Sequence, residues 1–506
     1  MNNGEEGITR RSFLKAAGAV VLAGAVGYPL MRLWTGAVRT DEAPFALPSQ
    51  APWIPWNGRE RAYRLVVTRE RVAIDGGPEF EGYLINGAFP GPELRAVEGD
   101  RLRVSVVNRT EGPLTIHWHG VHTPTSMDGV PILSQEPIAP GETFDYTFIA
   151  SPSGTRWYHA HIDELEQIPS GLFGPLIIEP AEQSLSSAST KGARDVVLML
   201  STRASSRPRT GGMGGMMGTE GMMGRMMGRG GRAEAGLVYL VNGRMPGTLS
   251  PIRQRGGERL VLRLINASAT EPFWLEAEGA VFRVTHVDGN PLSAARFVRD
   301  VYIAPAERLD AELIADRPGA LEIRSRLQGQ ETLRIPFVVE ATAEESRLPD
   351  EASPIPWSYA ALGGGAGPSL APADVTLPMV LSGGMMSPDW TINGEVYPRI
   401  SPAAIEEGQH VRLELFNHSM AEHPMHLHGH SFWVTSVGGV PLRAPLLKDT
   451  VNVRPMERMT IDFVANNPGH WLFHCHQLEH MAAGMATVVT YRGLPLPNIV
   501  DHTASG

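Results

Sequence analysis

The feature that most constrains how this chain folds is a block that recurs three times. Asn86-Gly87 opens the first copy, which closes on Asn108; Asn242-Gly243 opens the second, closing on Asn266; Asn393-Gly394 opens the third, closing on Asn417. The spans are 22, 24 and 24 residues. Each copy runs from a turn, through glycine beside a polar residue, into an alternating apolar strand such as 101–108 or 411–417. Period-2 alternation marks a strand with one buried face. The copies start about 150 residues apart, which is the length of a domain and far beyond the period of a solenoid. With Gly 55 and Pro 41 in 506 residues, turns are frequent, which favours β structure over helical bundles. The expectation is an all-β chain of three Greek-key β-sandwich domains, at 45–182, 190–345 and 370–497. Linkers are expected near 181–192 and 341–372, where small and polar residues collect.

Ahead of the first domain lies a leader, 1–44. Its Thr9-Arg10-Arg11-Ser12-Phe13-Leu14-Lys15 precedes an apolar run from Ala16 to Leu30. Twin arginines before a modest hydrophobic run read as a twin-arginine export signal, and so predict a periplasmic or extracellular protein. The run is broken by glycine and Pro29 and is short for a membrane span. It is either cleaved near residues 35–45 or retained as an anchor. The net charge of −10 argues against nucleic-acid binding, which needs a basic face. One cysteine, Cys475, excludes an intrachain disulfide.

The histidines carry the chemistry. His117-Trp118-His119, His159-Ala160-His161, His426-Leu427-His428 and His474-Cys475-His476 are each H-x-H. On a strand, residues i and i+2 point to the same side, so each motif sets two imidazoles side by side. Four pairs from the first and third domains suffice for a polynuclear metal site between those domains. Cys475, with His423, His480 and a weak axial Met485, is the His₂Cys-plus-Met set of a blue copper centre. Zinc more often takes Cys₄, Cys₃His or Cys₂His₂ for structure. The histidines flanking Cys475 point to the other side of its strand, so one strand touches two metal sites.

On these motifs the chain resembles the three-domain multicopper oxidases, the family of laccases, copper-efflux oxidases and ascorbate oxidase, over essentially all of 45–497. The resemblance implies three cupredoxin domains and four copper ions. Type 1 copper would take His423, Cys475, His480 and Met485. Type 2 copper would take His117 and His426. The type 3 pair would take His119, His159, His161, His428, His474 and His476. It implies single-electron withdrawal from substrate at the type 1 copper, transfer through Cys475 and its neighbours, and reduction of dioxygen to water at the other three. An axial Met implies a lower potential than the apolar residue of high-potential fungal laccases. Asp128, in Met127-Asp128-Gly129, matches the family acid beside the cluster, with a proton-relay role. Asp449, in Lys448-Asp449-Thr450, matches an aspartate that hydrogen-bonds a type 1 histidine, here assigned to His423. Many bacterial relatives carry a glutamate after the histidine at position 480; this chain has Met481, which leaves a second proton route open, and Glu479 should point elsewhere. His122, His286, His410, His418, His430, His470 and His502 fall outside the motifs and are expected to be structural or exposed.

Between Gly211 and Gly231, seven methionines fall within 213–227 in a glycine-rich stretch; Met379, Met385 and Met386 form a further patch. Such a stretch cannot pack a core and is expected to be a loop. Thioethers are soft ligands suited to Cu(I) and need no deprotonation. Met-rich insertions also occur in copper-efflux and copper-resistance oxidases. The expected substrates are therefore Cu(I) and electron-rich phenols or aromatic amines, with an additional Cu(I) site at the Met-rich loop. The alternative is a periplasmic copper-sequestering resistance protein whose oxidation is secondary. Nothing in a three-domain arrangement requires oligomerisation, so a monomer is expected.

Overall fold

A computed structural model describes residues 43–47, 54–181, 192–204, 236–327, 330–341, 354–384 and 387–495. The twin-arginine segment, the Met-rich stretch 211–231, Met385-Met386 and His502 lie outside the described residues. The chain is all-β, with three cupredoxin-like Greek-key sandwiches. In the first, a four-stranded sheet (Glu79–Ile85, Glu60–Ala73, Arg101–Asn108, Thr143–Ile149, in spatial order) faces a second (Leu94–Val97, Phe173–Glu179, Gly154–Ala160, Ile116–His119). The second and third sandwiches each pair a six-stranded with a five-stranded sheet. No helix among the described residues is long and apolar enough to cross a membrane.

The repeated block has a physical cause. Asn86, Asn242 and Asn393 adopt left-handed backbone angles, φ 54°, 49° and 56°, each followed by a left-handed glycine. Asparagine tolerates this conformation and glycine adopts it freely. Each of the three side chains also bonds a neighbouring strand twice, with Oδ1 accepting from Val66 N, Met199 N or Val380 N and Nδ2 donating to Arg64, Val197 or Pro378 carbonyls. The closing asparagines Asn108, Asn266 and Asn417 are fully buried. Their Nδ2 groups donate to Ile138 O, Ile303 O and Val453 O, and their Oδ1 atoms accept from Thr110, Ser268 and Ser419. Buried amides survive only when paired, and the loop after each strand pairs them.

Each copy also lays its closing strand parallel to the second strand before its Asn-Gly turn: Arg101–Asn108 on Glu60–Ala73, Leu260–Asn266 on Arg194–Ala204, and His410–Asn417 on Val375–Gly383. The apolar sides of both sheets then close on a core, such as Val67, Val104, Val106 and Tyr146 in the first sandwich. The second and third sandwiches share one continuous core.

Candidate metal centre

Two strand pairs deliver the histidines. Ile116–His119 lies antiparallel to Gly154–Ala160 with His117 opposite His159. His423–Leu427 lies antiparallel to His470–Cys475 with His426 opposite His474 and Met425 opposite Cys475. The first and third sandwiches bring these pairs face to face. His119 stacks on His426 with ring centroids 3.7 Å apart, and His117 lies 3.9 Å from His428. All eight H-x-H histidines are buried.

Most rings are tied at one nitrogen and turned inward at the other. His117 Nδ1 donates to Asp128 O at 2.8 Å, and His426 Nδ1 to Asp449 O at 2.8 Å; their Nε2 atoms then face each other at 3.4 Å. His428 Nδ1 donates to Asp128 Oδ2 at 2.8 Å, leaving Nε2 at 3.1 Å from His474 Nε2. His159 Nδ1 donates to Ala160 O, and its Nε2 faces His119 Nδ1 at 3.4 Å. His161 Nδ1 meets Glu164 Oε1 at 2.8 Å. Outer hydrogen bonds of this kind fix the tautomer and orientation of metal-binding imidazoles.

The inward atoms fit metal ions. His161 Nε2 and His476 Nε2 are buried with no hydrogen-bond partner. A buried polar atom left bare costs of the order of 1–3 kcal/mol, which coordination would remove. The ligand atoms of His161, His428 and His474 all lie within 4.8 Å of one another, as do those of His117, His119 and His159, and those of His117, His426 and His428. Burial, together with the neighbouring imidazoles, holds His119, His426, His428, His159 and His476 well below the usual histidine range, and His474 near 3. Neutral imidazole is the form that binds a metal.

The second cluster lies on the other side of the same strand. Cys475 Sγ sits 3.7 Å from His423 Nδ1 and 3.6 Å from His480 Nδ1, and the two nitrogens are 3.1 Å apart. Met485 is fully buried, and its carbonyl accepts from Cys475 N at 3.1 Å. Burial pushes the Cys475 thiol up, so metal must displace a proton that the thiol otherwise keeps. The half-buried Trp390 covers His480 at 3.8 Å and meets His423 edge-on at 5.2 Å. His480 is 7% exposed against 0% for Cys475 and His423, so it is the donor that reaches toward solvent.

Of the two aspartates, Asp128 lies against the histidine cluster, at His117 and His428. Asp449 does not contact His423. His423 Nε2 is instead paired with Ser419 Oγ at 2.8 Å, because the loop that pairs Asn417 places that hydroxyl beside the ring. Asp449 points the other way, with Oδ1 3.1 Å from His119 Nε2, and the guanidiniums of Arg308 and Arg156 close on it. Burial opposes ionisation there, but Arg308 outweighs it and holds the carboxyl below the usual range.

Sequence reasoning missed Ser419, Glu164, Thr450, Arg156 and Arg308. For Ser419 the signal was present, since Asn417-x-Ser419 repeats Asn266-x-Ser268. For Glu164 it was the spacing of three from His161. Glu479 is not at either cluster's donor set.

Comparison with known proteins agrees with this geometry. Two sequence models described as multicopper oxidase match residues 66–183 and 369–493. Multicopper oxidase MmcO of Mycobacterium tuberculosis is 31% identical over 501 residues, covering 96% of each chain. Copper resistance protein A of Escherichia coli is 25% identical, covering 94% of this chain and 98% of the relative. The crystal structure of a multi-copper oxidase from Pseudomonas thermotolerans superposes with a TM-score of 0.68 at 29% identity, covering 85% of this chain and 99% of the other. With its repeats, its histidine cluster and its cysteine site accounted for, the chain belongs to the multicopper oxidase family, and is an oxidoreductase that works with copper.

Proposed function

We propose that the protein is an exported oxidase that withdraws electrons singly from Cu(I), and from electron-rich phenols or aromatic amines, and passes them to dioxygen. Type 1 copper would be held by His423, Cys475, His480 and Met485; type 2 by His117 and His426; the type 3 pair by His119, His159, His161, His428, His474 and His476. Bound copper supplies the one-electron acceptor at the cysteine site and the centre at which dioxygen is reduced to water. The observation that carries the reading is the continuity of Cys475 with His474 and His476: one peptide segment joins the cysteine site to the histidine cluster.

The chain's own groups do the rest. Trp390 shields the cysteine site from water while His480 remains the contact toward a reductant. Asp128 Oδ1 is buried without a hydrogen-bond partner, so it is free to take a proton next to His117 and His428. Glu164 stands beside His161 with Oε2 also unpartnered, and is the second carboxylate that can accept a proton beside the cluster, which Met481 is not. The Met-rich stretch 211–231 gathers Cu(I), and the twin-arginine leader exports the folded protein as a monomer.

Oxygen uptake by copper-loaded protein tests this, with Cu(I) and a methoxyphenol as separate reductants, on the full chain and on a deletion of 211–231. Uptake with both substrates, and a selective loss of the Cu(I) rate on deletion, is expected. Unchanged Cu(I) oxidation after deletion removes the delivery role. No uptake with either reductant overturns the oxidase reading in favour of copper sequestration.

A further inference from the structure

Among the described residues, the second sandwich contributes no ligand to any of the clustered metal-binding groups. It nevertheless reaches the edge of the histidine cluster, through Arg308 and Asp288, and Arg308 is the one that grips the Asp449 carboxylate. Arg308, at the start of the strand Arg308–Ala315, is fully buried at the junction of the three sandwiches. Its guanidinium grips both oxygens of Asp449 in the third sandwich, with Nη1 at 2.6 Å from Oδ1 and Nη2 on Oδ2. A planar fork matched to a carboxylate is the most directional ion pair available to a protein.

The fork is itself locked. Nε donates to Thr155 O of the first sandwich at 3.2 Å, Nη1 to Ala306 O at 3.1 Å and Nη2 to Asp288 O at 3.2 Å. Asp288 Oδ2 in turn accepts from Thr450 N at 3.1 Å, fixing the backbone on the far side of Asp449. The turn after His119 is packed against the same pair: a Cβ on Gly120 would lie 2.5 Å from Asp449 Oδ2 and 2.6 Å from Arg308 Nη2.

Asp449 passes this order to two histidines of the cluster. Its Oδ1 accepts from His119 Nε2 at 3.1 Å, with Thr450 Oγ1 at 2.9 Å from the same nitrogen. Its carbonyl accepts from His426 Nδ1 at 2.8 Å. His119 is thereby held as the tautomer whose Nδ1 faces inward, and His426 as the one whose Nε2 does.

We propose that Arg308 is a positioning residue for the polynuclear copper centre, acting from a sandwich whose described residues give that centre no ligand: it orients Asp449 and, through it, His119 and His426. This rests on the copper reading given above. The role is separable from plain domain cementing, because Arg263 offers a control. Arg263 is also buried and also joins the sandwiches, through Thr155 Oγ1 at 3.0 Å, Asp310 and Asp195, but none of its contacts is to Asp449.

The test compares copper-loaded wild type, Arg308→Gln, Arg308→Lys and Arg263→Gln. The readouts are total copper, the blue thiolate-to-copper absorption, the type 2 electron paramagnetic resonance signal and the rate at which dioxygen restores the blue colour after anaerobic reduction. Loss of an outer partner typically costs about 10–100-fold in metal affinity or rate. In both Arg308 variants the type 2 signal and reoxidation rate are expected to fall by about that much, while the blue absorption and its bleaching by reductant persist. Lysine restores charge without the fork, so Arg308→Lys recovers thermal stability more than type 2 signal, and it decides the matter if the glutamine variant does not fold. Arg263→Gln should lower thermal stability and leave the type 2 signal in place. The proposal is overturned if the Arg308 variants keep the wild-type signal and reoxidation, if their blue absorption falls in proportion, or if Arg263→Gln loses the same signals. A wild type lacking both signals when loaded would instead overturn the copper reading itself.

Discussion

Asp128 Oδ2 accepts a hydrogen bond from His428 Nδ1 at 2.8 Å, across 300 residues of sequence and the interface between two sandwiches. The same aspartate receives His117 Nδ1 on its carbonyl oxygen. One residue of the first domain thus orients a histidine from each side of the interface and keeps their rings 3.9 Å apart.

Replacing Asp128 by Asn should preserve an acceptor for His428 and remove the carboxylate proposed to relay protons. Steady-state turnover is expected to fall about 10–100-fold. Stopped-flow reduction of the blue absorption by substrate should be unchanged, with the loss confined to the dioxygen step. Equal slowing of both half-reactions would refute a role at the cluster.

Glu164→Gln tests the second carboxylate proposed to relay protons. Burial raises the Glu164 carboxyl, but His161 more than compensates and holds it at about 2. Glutamine still accepts from His161 Nδ1, so copper content should stay near wild type while the dioxygen step slows by about 10-fold or more. Reoxidation at the wild-type rate would show that Glu164 carries no proton.

Gly129 cannot be changed quietly. Its φ is +81°, and a Cβ there would lie 1.9 Å from Ile116 O on the strand that carries His117 and His119. Gly129→Ala must accept left-handed strain and push that strand aside, at about 2–5 kcal/mol. Chemical denaturation of the metal-free protein should show the loss, and type 2 copper should be depleted first. A midpoint within error of wild type would contradict the packing described.

The metal-free protein should weaken in acid through His122. Its Nε2 lies 3.1 Å from Ser431 Oγ, across the interface of the first and third sandwiches. Burial, then His430 and Arg156, holds His122 at about 3, below the roughly 6.5 of an unfolded histidine. The unfolded chain therefore takes up the extra proton first. This contribution is complete above about pH 6.5 and is lost as pH falls toward 3, by at most about 1.4 kcal/mol per pH unit. Melting curves of wild type and His122→Gln between about pH 7 and pH 4 should diverge, the variant having the shallower acid slope. Parallel curves would exclude His122 as a contributor.

Local patterns in the chain were enough for the architecture. The Asn-Gly turns and closing asparagines announced three related sandwiches because each feature is a local device, a left-handed turn or a buried amide whose Oδ1 is paired by the next loop. The H-x-H motifs were equally legible, since strand geometry alone puts i and i+2 on one side. Asp128 was recognisable from its motif. The partner of Asp449 was not, because the choice between His423 and His119 depends on which way a side chain turns at a junction of three domains. Ser419 took the place at His423 that the motif suggested for Asp449.

The sequence by itself determined the fold class, the candidate ligands and the link between the two clusters, all carried by periodicity and by residues adjacent in the chain. Only the tertiary structure decided which nitrogen of each ring turns inward, and that Arg308, from a sandwich whose described residues give the clusters no ligand, holds Asp449 against His119. Those relations join residues about 140 to 330 positions apart, or set a ring's tautomer. The long-range ones exist only where separate sandwiches bury their charges against one another, and a buried charge must find its partner there, wherever that partner lies in the chain.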